Sequence, residues 1–271
     1  MLVFPGTKIN LGLTITHRLK SGYHALESVF YPLRFSDVLE VVPTQAKETT
    51  FHFSGIPIPG ELEDNLVFKA WDLIEKKHAI KPVSIHLYKR IPMGAGLGGG
   101  SADAAGAIHA LNSLFRLDLP LEKQLDYAQR LGADCPFFLL RTPSYATGIG
   151  EILEPINLNL KGYKILLIMP GIHVSTKDAF GGIQPKPIKP SPRDIIDNPP
   201  NYWKKRLRNA FERSVFEKFP VLHSIKNEIY DLGACYASMT GSGSCIYGIF
   251  ENEIPKLSEK LSAFPHHVET L

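Results

Sequence analysis

The chain has 271 residues, of which 44% are hydrophobic and 21% charged. That is ordinary globular composition, which excludes a disordered segment and allows one large core or two modest ones. A net charge of +3 is too mild to imply a nucleic-acid or membrane partner.

Cys135, Cys235 and Cys245 show no Cys-x-x-Cys spacing, so neither a disulfide framework nor a zinc site is expected. None of the ten histidines falls in a His-Glu-x-x-His spacing, and no metal site is assigned. The first residues lack a basic region followed by an apolar stretch. No apolar run approaches the roughly 20 residues of a membrane helix. The expectation is a soluble, cytoplasmic protein.

Ile9, Leu11, Leu13 and Ile15 alternate with polar or small residues, which predicts a half-buried strand over Leu2–Thr16. Ser21-Gly22-Tyr23-His24 follows as a turn, with strands at Val38–Val42 and around Phe51 and Phe53. Helical spacing of Leu66, Ala70, Leu73 and Ile74 predicts a helix over Asn65–His78, with Asp64 as its N-cap. Val83, Ile85 and Leu87 form a strand leading into a glycine-rich segment. Ala104, Ala105, Ile108, Leu111 and Leu114 form the helix leading out. A further helix, Leu121–Leu131, ends at Gly132. A second domain is expected to begin at Glu154-Pro155, dividing the chain into 1–153 and 154–271. Tyr163–Met169 reads as a strand. Six prolines in the seventeen residues Gln184–Pro200 predict a surface loop with neither helix nor central strand. Helices at Trp203–Lys218 and Val221–Leu232 and a strand at Ser244–Phe250 complete the chain.

Five of the 22 glycines lie between Gly94 and Gly100, in the run Pro92-Met93-Gly94-Ala95-Gly96-Leu97-Gly98-Gly99-Gly100-Ser101-Ala102-Asp103. Glycines let a backbone approach a ligand closely, and the helix N-terminus that follows favours an anion, of which phosphate is the obvious one. Gly94-x-Gly96-x-x-Gly99 matches the dinucleotide fingerprint. However, the strand before it alternates, as a central parallel strand should not. Asp118, at the distance of a ribose-binding acid, follows the helix too closely for a second strand to intervene. No Lys-Ser or Lys-Thr ends the loop as a P-loop requires. A plain turn rarely needs so many glycines.

Pro92-x-x-x-Gly96-Leu97-Gly98 followed by small residues resembles the phosphate-binding motif of the GHMP kinase superfamily. Lys8-Ile9-Asn10-Leu11 with Gly22-Tyr23-His24 resembles its first motif, and Met239-Thr240-Gly241-Ser242-Gly243-Ser244-Cys245 its third. Gly132-Ala133-Asp134-Cys135-Pro136-Phe137-Phe138 lies between them, so the match runs from Lys8 to Cys245. The long glycine form resembles the branch that phosphorylates the 2-hydroxyl of a cytidylylated methylerythritol, in the non-mevalonate isoprenoid route. The resemblance implies an α+β, two-domain fold, with an N-terminal ribosomal-protein-S5-like domain and a C-terminal ferredoxin-like domain.

Phosphoryl transfer needs a phosphate cradle, a cation near the developing charge and a group to take the hydroxyl proton. The resemblance selects Lys8 and Asp134 as the catalytic pair. Alone, Lys8 also reads as a surface lysine, and Asp134 before proline as a helix cap. Only the joint pattern favours chemistry. By resemblance, Pro92, Met93, Gly94, Ala95, Gly96, Leu97, Gly98, Gly99, Gly100, Ser101 and Ala102 cradle ATP, and Asn65 frames its adenine. Tyr23, His24 and Phe180 are candidates for the cytidine, by stacking and by a hydrogen bond to the base edge. Tyr23 and Phe180 equally read as core aromatics. Asn10 either contacts substrate or orients Lys8, while Thr176, Gly241, Ser242 and Gly243 are further substrate candidates. Mg²⁺ is expected with ATP, without an identified protein ligand, and Ser101 is an open candidate. The expected partner is a small molecule carrying a cytidine diphosphate, without nucleic acid or membrane, on a monomer or weak homodimer. The basic run Trp203-Lys204-Lys205-Arg206-Leu207-Arg208, aromatic and basic together, is compatible with RNA, but it reads first as the solvated face of the helix that begins there.

Overall fold

The computed structural model describes residues 1–271, apart from the side chain at position 176. In chain order the first elements are β1 (Leu2–Val3), β2 (Gly6–Arg18), β3 (His24–Ser36), β4 (Val38–Pro43) and β5 (Thr50–Gly55). Next come α1 (Leu66–His78), β6 (Val83–Lys89), α2 (Gly99–Phe115), α3 (Leu121–Leu131) and α4 (Cys135–Leu140). Then follow β7 (Ser144–Thr147), β8 (Ile152–Pro155), β9 (Lys164–Ile168), α5 (Thr176–Phe180), α6 (Pro192–Ile196), α7 (Glu212–Lys218) and α8 (Pro220–Asp231). The last are β10 (Tyr236–Met239), β11 (Ile246–Phe250), α9 (Glu259–Ser262) and β12 (His266–Thr270). Among the described residues no helix is long and apolar enough to cross a membrane.

The chain forms two compact units. The first comprises Met1–Thr7, Arg34–Met93 and Gly98–Arg141, and the second Lys8–Leu33, Gly94–Leu97 and Thr142–Leu271. In the first, a sheet ordered β1-β4-β6-β5 has only the β5–β6 pair parallel. The period-2 pattern of β6 turns Val83, Ile85 and Leu87 inward, and the same alternation carries Lys89 inside. Helix α2 is lined with small residues: Ala102, Ala104, Ala105, Ala107 and Ala110 are all buried. Such a surface allows close approach of neighbouring helices, and α1, α3 and α4 pack on it. The shared core includes Ile74, Ile85, Leu87, Ile108 and Leu111.

The second unit carries two antiparallel sheets, ordered β2-β3-β7-β8 and β10-β11-β9-β12. Its core joins Leu166 and Ile168 of β9 to Leu222, Ile225 and Ile229 of α8. These three recur at helical spacing on the buried face of α8.

Four expectations are corrected. The first strand is broken at Phe4-Pro5, and β2 is buried over most of its length, because Lys8 and Asn10 point into protein instead of solvent. Asn65, not Asp64, caps α1: its Oδ1 accepts from Val67 N at 2.8 Å. The proline-rich segment contains α6, opened by a Ser191–Asp194 capping box with Pro192 in the first turn, where its missing N–H costs nothing. The helix expected from Trp203 begins only at Glu212. Before it, Asn209 pairs with Leu13, with Leu13 N donating to Arg208 O and Ala210 N to Leu13 O. That bridge interrupts the helical pattern at residue 209.

Candidate active site

In the second unit, Lys8 and Asn10 lie two residues apart on β2 and therefore share a face. Lys8 Nζ donates to Asn10 Oδ1 at 2.6 Å and stands 4.5 Å from the centroid of the Phe30 ring. Lys8 is only 3% exposed, and a buried ammonium requires such partners. Asn10 is itself fixed: its Nδ2 donates to Ser28 Oγ at 2.9 Å, and its N–H to Thr240 Oγ1 at 3.1 Å. The Tyr247 hydroxyl donates to Asn10 O at 2.8 Å. Asn10 is thus a fixed hydrogen-bond partner of the Lys8 ammonium.

The segment Gly94–Leu97 is laced into the same network. Lys8 N donates to Leu97 O at 3.0 Å, Cys245 N to Ala95 O at 3.2 Å, and Thr240 Oγ1 to Gly96 O at 3.1 Å. Gly96 has φ +75°, and a Cβ there would stand 2.1 Å from Thr240 O. Two backbones cross at this point, and only glycine fits. The turn through Gly241, Ser242 and Gly243 is held from the other side by Asn209, whose Nδ2 donates to Met239 O and Gly241 O at 2.8 Å each. Neither Thr240 nor Asn209 is a site residue that the sequence points to: Thr240 lies inside the third motif, whereas Asn209 has no local signal.

His24 and Phe180 stack, with ring centroids 4.8 Å apart and planes 28° off parallel. Phe180 also meets Phe211 edge-on at 4.8 Å, so its ring is both braced by the core and half-exposed. Tyr23 is 64% exposed, which removes the core reading for it. The side chain of Thr176 lies outside the described residues.

In the first unit, α2 begins at Gly99 with Gly98 as its N-cap. Glycine has no side chain to cap the helix, so the first-turn N–H groups through Ser101 are left for an anion. The start of α1, beyond Asn65, adjoins this turn: a Cβ on Gly100 would stand 3.8 Å from Leu66 Cδ1. Beneath it lies a buried ion cluster. Lys89 Nζ donates to Asp37 Oδ2 and, at 2.7 Å, to Asp103 Oδ2. Asp37 Oδ1 accepts from Arg90 N at 2.5 Å and Ile91 N at 2.8 Å. The cluster thereby ties the end of β6 to the second turn of α2. A Cβ on Gly99 would stand 2.8 Å from Ile91 Cγ2 and 3.0 Å from Lys89 Nζ, so this approach also requires glycine.

Asp103 Oδ1 is buried without a hydrogen-bond partner. Burial pushes the Asp103 carboxyl up to about 7, with Lys89 opposing the shift and Asp37 adding to it. An unfolded aspartate titrates near 4, so the folded protein holds this proton over a wider range. The stability it contributes is complete below about pH 4 and is lost as pH rises through about 7. Urea titrations are expected to show Asp103→Asn gaining on the wild type between mildly acidic and mildly alkaline pH. A constant difference would contradict this.

Asp134 precedes α4, with Pro136 in that helix's first turn, yet its side chain makes no capping hydrogen bond. The burial of Cys135, Pro136, Phe137 and Phe138 fixes its backbone. The Cys135 thiol is pushed up to about 11 by burial, with Ser101 opposing the shift. Helices α2 and α4, which carry Ser101 and Cys135, pack against each other within this unit. Among the described residues no group of three or more His, Cys, Asp or Glu could hold a metal ion.

Residues 65–142 match the family described as GHMP kinases N terminal domain, and residues 200–267 the one described as GHMP kinases C terminal. The 4-diphosphocytidyl-2-C-methyl-D-erythritol kinase of Bacteroides fragilis (strain YCH46) is 50% identical over 255 residues, 93% of each chain. The protein of that name from Cytophaga hutchinsonii is 45% identical over 263 residues, 97% of each. A crystal structure of 4-(cytidine 5'-diphospho)-2C-methyl-D-erythritol kinase superposes with a TM-score of 0.83 at 32% identity, covering 99% of this chain and 98% of that one. These likenesses span the whole fold, and the chain belongs to the 4-diphosphocytidyl-2-C-methyl-D-erythritol kinase family of the GHMP kinases.

Proposed function

We propose that the chain transfers the γ-phosphoryl group of ATP to the 2-hydroxyl of 4-diphosphocytidyl-2-C-methyl-D-erythritol, a step of the non-mevalonate isoprenoid precursor route. The observation that carries this reading is the 50% identity, over 93% of both chains, to a relative of that name. In chemical terms, Asp134 takes the proton of the attacking hydroxyl, and the Lys8 ammonium polarises that hydroxyl. Asn10 holds the ammonium in place. Backbone N–H groups in the segment Pro92–Ala102 receive the phosphates of ATP, with Asn65 beside the adenine.

Tyr23 and Phe180 present aromatic faces to a pyrimidine, and His24 hydrogen-bonds its edge. Thr176 and the turn Gly241–Gly243 attend the rest of the acceptor. Residues 1–153 carry the cradle and the catalytic pair, and 154–271 complete the acceptor site. Mg²⁺, when bound with ATP, neutralises phosphate charge. ATP oxygens and water would supply most of its ligands, with Ser101 the candidate from the chain. The enzyme acts in the cytoplasm as a monomer or weak homodimer.

A panel of acceptors tests the reading. ATP turnover is expected with the cytidylylated methylerythritol and not with homoserine, mevalonate or galactose. Turnover with one of those three alone would overturn the substrate assignment.

A further inference from the structure

The basic run Trp203-Lys204-Lys205-Arg206-Leu207-Arg208 has no part in the proposed chemistry. The turns that replace the expected helix bury Trp203 and Leu207 and leave Lys205, Arg206 and Arg208 exposed. These three side chains converge with Lys189, from the proline-rich segment, on one cavity of ≈ 230 Å³. Pro192, Ile195 and Leu207 give the cavity an apolar floor, and no carboxylate lines it. Asp194, whose ionisation Lys189 favours, is already engaged by Ser191 in the capping box of α6. Among the described residues, Lys189, Lys205 and Arg208 form no salt bridge, and Arg206 has only the Tyr202 ring at 5.9 Å. Four cations around one cavity whose lining carries no carboxylate repel one another, and an anion placed there removes that cost.

We propose that this groove binds a small organic diphosphate, whose charge meets Lys189, Lys205, Arg206 and Arg208 and whose short apolar body meets the floor. RNA fits the same charge less well. The Trp203 ring is fully buried, with its indole N–H donating to Asn198 O at 2.7 Å. The Tyr230 ring is covered by Lys204 Nζ at 4.1 Å. Those faces are closed to a base, and single-stranded RNA binding depends on such stacking.

The test is calorimetry on the full chain at physiological salt, with the nucleotide site saturated by a non-hydrolysable ATP analogue. The probes are inorganic diphosphate and butyl diphosphate. One equivalent of each is expected to bind, the butyl ester more tightly. The double variant Lys205→Glu/Arg208→Glu should weaken both by about tenfold or more, while Lys256→Glu, an exposed lysine elsewhere, should leave both within about twofold. Circular dichroism confirms that each variant is folded. No binding by the wild type, equal losses in Lys256→Glu, or no advantage for the butyl ester would overturn the proposal. So would a short single-stranded RNA that binds the groove undisturbed by diphosphate.

Discussion

Asp134→Asn is expected to lower the rate of phosphoryl transfer by about 10²–10⁴-fold, the range a positioned general base supplies. ATP affinity should remain within about twofold, because the cradle is built from backbone groups that this substitution does not touch. Asparagine has nearly the same shape and cannot take a proton. The packing of Cys135, Pro136, Phe137 and Phe138 behind it is unaffected, and no helix cap is lost, since Asp134 makes none. Single-turnover measurement of labelled phosphate transfer, alongside calorimetry with ATP, separates the two effects. A transfer rate near that of the wild type would remove the proton-accepting role from Asp134.

Gly96→Ala is expected to cost about 3 kcal/mol or more of stability, from a strained backbone and a collision together. The Cβ would stand 2.1 Å from the backbone oxygen of Thr240, which cannot swing aside as a side chain can. The same Thr240 holds Asn10 through its hydroxyl, so relieving the collision displaces the residue that positions Lys8. Acceptor turnover should therefore fall by more than the loss of folded protein explains. Gly60→Ala is the control: Gly60 has φ +98° with nothing within 4 Å of its Cβ, so only backbone strain of about 1–2 kcal/mol applies. Thermal unfolding of the two variants should separate by several degrees, at about 2–4 °C per kcal/mol for a chain of this size. Equal melting temperatures would show that the two backbones do not cross as described.

Much of the site is legible in the sequence where its parts are contiguous. The glycine run, the alternating strand before it and the alanine-rich helix after it are read directly from spacing. The buried position of Lys89 follows from extending the alternation of Val83, Ile85 and Leu87 by one step. Its partners do not, because Asp37 and Asp103 lie 52 and 14 residues away. The same holds for Thr240, 230 residues from Asn10.

Trp203, Leu207 and Phe211 mislead for a different reason. They recur every four residues and are all buried, as one face of a helix would be. In the folded chain a turn holds Trp203, and the bridge between Asn209 and Leu13 separates Leu207 from Phe211. Strand β3 escapes notice because Glu27 and Arg34 interrupt its apolar pattern. Strand β12 does so because His266, Glu269 and Thr270 leave little apolar pattern on an edge strand.

The reaction is transfer of phosphate from ATP to the tertiary hydroxyl at carbon 2 of the cytidylylated acceptor. Phosphorus NMR of the product tests it directly. A tertiary carbinol carbon carries no hydrogen, so one new phosphomonoester resonance without splitting by a carbinol proton is expected, appearing in step with ADP. A new resonance split by carbinol protons would place the phosphate on another hydroxyl and contradict the account. ATP turnover that leaves the acceptor spectrum unchanged would contradict it equally.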